Sequence, residues 1–131
     1  LLFDNSQLKI FGDGKQTKPY VHVFDILKAL NLLENKFDKG HNVFNVGSND
    51  SLTVTQIAEI VIKKMQLNNV DFKYTGGSRG WKADVPTYRL NTSKIRELGW
   101  SNNFNSFQAI EHAIDAMLID VKNGDIKPAT N

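Results

Sequence analysis

Two stretches of the chain hold residue types whose spacing could do chemistry. The first is Phe11-Gly12-Asp13-Gly14-Lys15-Gln16-Thr17-Lys18-Pro19-Tyr20. A glycine turn lets backbone approach a ligand closely. Phe11 offers a flat face for a base, and Lys18 offers a point charge for a phosphate. The same residues also read as a hairpin with a solvated tip. The second stretch is Gly76-Gly77-Ser78-Arg79-Gly80-Trp81-Lys82-Ala83-Asp84-Val85-Pro86. An arginine on a glycine-rich loop suits bidentate recognition of phosphate, and Asp84 can accept hydrogen bonds from sugar hydroxyls. The plainer reading is a mobile loop pinned by Trp81. Residues 75–88 are nevertheless more loop than a compact domain usually spends without a function. Together the two stretches point to a site for a phosphorylated ligand with a planar group. They supply no general acid–base pair and no hydride chemistry.

Other chemistries lack their residues. Gly12 and Gly14 are followed by Thr17 where a Gly-x-Gly-x-x-Gly fingerprint needs glycine, and neither Walker A nor Gly-x-Ser-x-Gly occurs. His22, His41 and His112 are isolated from one another in sequence, so no metal ligand set is expected. The absence of cysteine excludes disulfides, thiolate metal sites and cysteine nucleophiles. With 16 Lys+Arg and 14 Asp+Glu the net charge is +2, no footprint for nucleic acid. Lys63-Lys64 reads as a solvated helix face, and basic binding along residues 79–96 is the poorer alternative. No apolar run approaches the ~20 residues of a membrane helix. The opening Leu1-Leu2-Phe3-Asp4-Asn5 resembles no signal peptide and lacks an initiator methionine. We therefore expect a cytoplasmic chain cut from a longer one.

The elements that must position these residues alternate. A strand over residues 8–11 ends at the Gly12–Gly14 turn, and Tyr20-Val21-His22-Val23 forms a second short β-type run. Asp25 has the chemistry of an N-cap for a helix that runs to about Asn35. Residues 42–46 read as an apolar strand, of the kind that lies inside a larger parallel sheet. Thr53-Val54-Thr55-Gln56 is a capping box, and Ile57, Ile60, Val61 and Met65 form the buried stripe of its helix. Residues 70–74 alternate as a strand. Asn91 or Thr92 caps a short helix that stops at Gly99. A last helix over residues 106–122 should bury Phe107, Ile110, Ala113, Ile114, Met117, Leu118 and Val121. Interleaved strands and helices favour a mixed α/β class.

The order of motifs resembles the C-terminal part of extended short-chain dehydrogenase/reductases. Residues 8–25 are similar to that family's strand followed by Gly-Asp-Gly-x-Gln-x-Arg-Asp-Tyr/Phe-x-x-Val-x-Asp. Phe44-Asn45-Val46-Gly47 resembles its Tyr/Phe-Asn-Val-Gly strand end, and residues 51–62 its following helix. Residues 79–86 resemble its Arg-x-x-x-Gly-Asp-Val/Pro substrate loop, and residues 91–100 its Asp-x-Ser-Lys-x-x-x-Leu-Gly-Trp helix. The nearest members are NAD-dependent nucleotide-sugar epimerases and dehydratases of the UDP-glucose 4-epimerase type.

The resemblance implies a fold class of mixed α/β. Residues 1–123 would be the C-terminal substrate-binding lobe, with the N-terminal Rossmann region missing, and residues 124–131 a polar tail. It implies a portion that binds a nucleoside-diphosphate sugar, with UDP-sugars first. The parent reaction would be 4-epimerisation through a 4-keto intermediate, with NAD in the parent family. The glycine fingerprint and Tyr-x-x-x-Lys of the family are absent, so no catalytic residue and no cofactor-binding residue is expected, and the piece alone should be inactive. Carried over by position, Phe11 would lie against the base. Lys18, standing where the family has arginine, would meet the diphosphate together with Arg79, and Asp84 would contact the ribose. Pro19 replaces an aspartate and Ala83 a glycine, while Tyr20 and Trp81 would support the loops. The expected partners are the missing Rossmann region and further copies of the chain, since open sheet edges and apolar helix faces drive self-association. The alternative is an interaction or oligomerisation module without nucleotide function.

Overall fold

A computed structural model of the chain describes residues 5–34, 36 and 40–126. The sequence opening at residues 1–4, the expected helix end at Asn35 and residues 127–131 of the expected tail lie outside the described residues. The chain enters through strand β1 (Gln7–Ile10), turns at Gly12–Gly14 into strand β2 (Thr17–Lys18), and continues into helix α1 (Val23–Glu34). Strand β3 (Leu52–Thr53) leads directly into helix α2 (Val54–Lys64), which is followed by strand β4 (Asp71–Tyr74). Two helices close the chain, α3 (Ser93–Glu97) and α4 (Ser106–Asn123).

β1 and β4 pair in parallel, with Leu8 opposite Phe72 and Ile10 opposite Tyr74. β2 and β3 pair antiparallel, with Thr17 opposite Thr53. α2 packs beside β1 and against α4, and Lys64 fastens that contact through Asp115 at 2.8 Å and Glu111 at 3.5 Å. The Lys63-Lys64 pair is thus only half a solvated face. The capping box at Thr53 and Gln56 is present, and a second one, Asn105 with Gln108, starts α4. Gly124 ends α4 in the left-handed region.

Ala29, Ile95 and Trp100 form a buried cluster, with Leu32, Leu33, Phe44 and Val46 packed around it. Asp25 anchors this region. It is not the N-cap expected from its chemistry, because α1 begins two residues earlier. His22 takes the capping position instead, accepting the Phe24 N–H at Nδ1. The fully buried Asp25 carboxylate accepts the N–H groups of Asn103 and Phe104, at 2.8 and 3.2 Å, and its carbonyl accepts Trp100 Nε1–H. A long-range partner outweighed the local cap because those loop amides have no other acceptor of comparable charge.

Three further expectations need correction, and a fourth, the choice of Asn91 or Thr92 as the cap of α3, is resolved. Tyr20-Val21-His22-Val23 is not a strand: pairing falls on Thr17–Lys18, and Val23 already belongs to α1. Residues 42–46 form no strand among the described residues. Thr92 makes no side-chain cap, and Asn91 Oδ1 takes the Ser93 N–H instead. On α4 the buried positions are Ser106 and Ala109, while Phe107, Ala113 and Met117 face solvent. Ile110, Ile114, Leu118 and Val121 are half-buried as expected, so the periodicity identified the helix and its packed stripe but drew that stripe too wide.

Candidate functional site

The parallel pairing of β1 with β4 carries both loop clusters to one edge. Beyond the strands, Gly76 N–H donates to Gly12 O at 3.0 Å, and Gly12 N–H donates to Thr75 Oγ1 at 2.8 Å. Further along, Thr17 N–H donates to Pro86 O at 2.8 Å. The turn after β1 and the loop after β4 are therefore interlocked at both ends. Gly12 is required at the first crossing. Its φ is +84°, and a Cβ there would overlap Gln16 Nε2 and press to 3.0 Å on the Arg79 backbone.

The loop is drawn over the turn by an ion pair. Lys18 Nζ lies 2.8 Å from Asp84 Oδ1 and also donates to Val85 O. Asp84 Oδ2 accepts the Gly80 N–H at 3.1 Å. The Lys18 ammonium and the Gly80 N–H together hold the Asp84 carboxyl below the usual range. Trp81 is 68% exposed and touches the loop through a side-chain hydrogen bond to Asp84, not through packing. The ion pair does the pinning.

The interlock encloses one side of a cleft of about 640 Å³, within the range of small-molecule sites. Phe11, Lys18 and Asp84 all line it, as do Tyr20 and Trp81. α2 supplies an apolar wall from Val54, Ile57, Ala58 and Val61, which share a helix face at i, i+3, i+4 and i+7. Burial pushes the Tyr20 phenol up, against the pull of the neighbouring Lys18, so it stays a neutral hydroxyl at physiological pH. Arg79 stands apart from the other three expected residues. It is exposed and is not among the residues lining the cleft, and only its backbone abuts the Gly12 turn.

Sequence reasoning gave no role to Gln16, which is 2% exposed and lines the same cleft. Its Nε2 donates to Phe11 O at 3.0 Å, while its Oε1 is buried without a partner among the described residues. The histidines also differ from expectation: His22 and His112 meet edge to face, ring centres 5.3 Å apart, with Phe104 beside both. No metal-binding group of three or more His, Cys, Asp or Glu occurs among the described residues.

A dinucleotide site needs a glycine-rich turn running from a strand into a helix N-terminus. Gly12 and Gly14 instead lead into β2, so these residues do not fit NAD. No helix among the described residues is long and apolar enough to cross a membrane.

No protein-family profile matches the chain. Among curated proteins it is similar to human dTDP-D-glucose 4,6-dehydratase, at 29% identity over 104 residues, covering 76% of this chain and 29% of the relative. Among solved structures it is similar to the UDP-glucose 4-epimerase of Thermotoga maritima with UDP-glucose, at 26% identity and a TM-score of 0.71, covering 89% of this chain and 36% of that one. It also superimposes on the dTDP-glucose 4,6-dehydratase of Bacillus anthracis in complex with NAD, at a TM-score of 0.73 and 20% identity, covering 92% of this chain and 37% of that one. The chain therefore spans about a third of the length of the proteins it matches. Its fold is that of the C-terminal part of extended short-chain dehydrogenase/reductase epimerases, and its relatives are NAD-dependent nucleotide-sugar epimerases and dehydratases.

Proposed function

We propose that this chain is the nucleotide-sugar-binding portion of an NAD-dependent epimerase or dehydratase. Its first-choice ligand is a UDP-sugar, and the parent reaction is 4-epimerisation through a 4-keto intermediate. One observation carries the reading. Phe11, Lys18 and Asp84, which the resemblance marks for base, diphosphate and ribose, line a single cleft although Asp84 lies 66 residues from Lys18. Lys18 uses two of its three N–H donors on Asp84 and Val85, which leaves one for a phosphate oxygen. Arg79, on the same loop but not lining the cleft, would have to swing in to supply the second cation. Phe11, half-exposed in the cleft wall, supplies the face for the base. The chain contributes binding and orientation, and the chemistry belongs to residues it lacks.

The test is a ¹H–¹⁵N titration with UDP. Amides of residues 11–20 and 78–86 should shift together and saturate with one dissociation constant. Arg79→Ala should weaken that constant about tenfold, the loss of one charge-assisted contact. Shifts scattered over the surface, or the same affinity without Arg79, would contradict the reading.

A second reading has its own observation. α1 is apolar on two sides. Ala29 is buried in the core, yet Val23, Phe24, Leu27 and Leu30 face solvent, Phe24 at 62% exposure. An exposed apolar stripe of this kind, rimmed by Lys28, Asn31 and Glu34, is a normal place for a partner to dock. This reading makes the chain an interaction or oligomerisation module, and it predicts no affinity for UDP.

A further inference from the structure

We propose that Gln16 reads the nucleoside end of the ligand, its Oε1 accepting a hydrogen bond from a ribose hydroxyl or a base N–H; this rests on the nucleotide reading above.

The amide cannot turn to satisfy itself. Nε2 is committed to Phe11 O at 3.0 Å, and a flipped amide would set two acceptors against each other. Gly12 and Gly80 wall the Nε2 side so tightly that a Cβ on Gly12 would overlap it. Oε1 therefore points where no described donor reaches, from a side chain that is 98% buried in the cleft wall. A buried acceptor left without a donor costs free energy, so one in a folded chain calls for an explanation.

The surroundings decide what fills it. Lys18 and Asp84 neutralise one another, and both Asp84 oxygens already accept. A phosphate carries only acceptor oxygens at neutral pH and would meet Oε1 with repulsion. A hydroxyl or an N–H meets it as a donor. The nucleoside consequently lies at Gln16 and Phe11, which the Nε2–H to Phe11 O hydrogen bond joins across one turn, and the diphosphate extends toward the remaining N–H of Lys18 and toward Arg79. Gln16 thus fixes the direction of the ligand in the cleft.

The experiment is a calorimetric comparison of UDP with 2′-deoxy-UDP, 3′-deoxy-UDP and N3-methyl-UDP, on the chain and on Gln16→Met. One of the three analogues should bind about three- to tenfold more weakly than UDP, the loss of one neutral hydrogen bond. That discrimination should vanish in Gln16→Met. Equal binding of UDP and all three analogues to the unaltered chain overturns the proposal without recourse to any variant. A discrimination that survives in a folded Gln16→Met overturns it as well. In both cases UDP still binds and the nucleotide reading stands, whereas absence of binding by every nucleotide removes both.

Discussion

Asp84 accepts hydrogen bonds from Lys18 Nζ and from the Gly80 N–H, and these hold its carboxyl below the ordinary carboxylate value. A carboxylate with a lowered pKa contributes above its unfolded value, about 3.9, and loses that contribution as the pH falls through the folded value. The loop should stay fastened at neutral pH and open only in acid. In Lys18→Met the Asp84 midpoint, followed by carboxyl ¹³C NMR, should move up; an unchanged midpoint would show that the ion pair is not what holds it. Gly12→Ala should cost roughly 2 kcal/mol or more in urea unfolding, combining left-handed backbone strain with the clash against Gln16. At this scale the chain was partly legible. Phe11, Lys18 and Asp84, singled out by type and position, do line one cleft. That Lys18 and Asp84 bind each other was not legible, because the contact bridges two loops whose approach is set by strand pairing. Gln16 escaped notice because an unsatisfied atom is a property of packing, not of residue type.

Helix starts with local signals were read correctly. The Thr53–Gln56 capping box is satisfied within four residues, and Gly124 marks the end of α4 by its own backbone conformation. Elements that depend on distant partners were misread. Asp25 left its expected cap for the amides of Asn103 and Phe104. Asp25→Ala should therefore destabilise the chain by about 1–3 kcal/mol, since it removes a buried charged acceptor from two part-buried N–H groups. Thermal or urea unfolding measures this, and a loss below about 1 kcal/mol would favour a merely local cap. Residues 42–46 have the apolar composition of a parallel strand, yet no described strand pairs with them. Beside them the stripe Phe24, Leu27 and Leu30 of α1 is open. Self-association through this stripe, which we propose, would show as a mass above the monomer in light scattering; Leu27→Glu with Leu30→Lys should return it to the monomer and shift stability by only about 0.5 kcal/mol, as exposed positions do. An unchanged mass distribution would move the contact surface elsewhere.

The chain spans about a third of the length of the proteins it matches, and it leaves an apolar stripe of α1 exposed. The mixed α/β class was legible from the alternation of elements, and the family from the order of five short motifs. The extent of the uncovered surface was not, because periodicity reports that a face is apolar without saying what covers it. Supplied with NAD and UDP-galactose, the chain should show no epimerisation in a coupled assay, since the turn at Gly12 and Gly14 leads into a strand rather than a helix. Turnover above background would mean that chemistry resides in these residues after all. The central claim is that the cleft framed by Phe11, Lys18 and Asp84 holds a nucleoside diphosphate without its companion lobe. Calorimetric titration with UDP and NAD side by side at low salt tests it most directly. The account predicts saturable one-to-one binding of UDP and none of NAD. Binding of neither, or of NAD in preference to UDP, would contradict it.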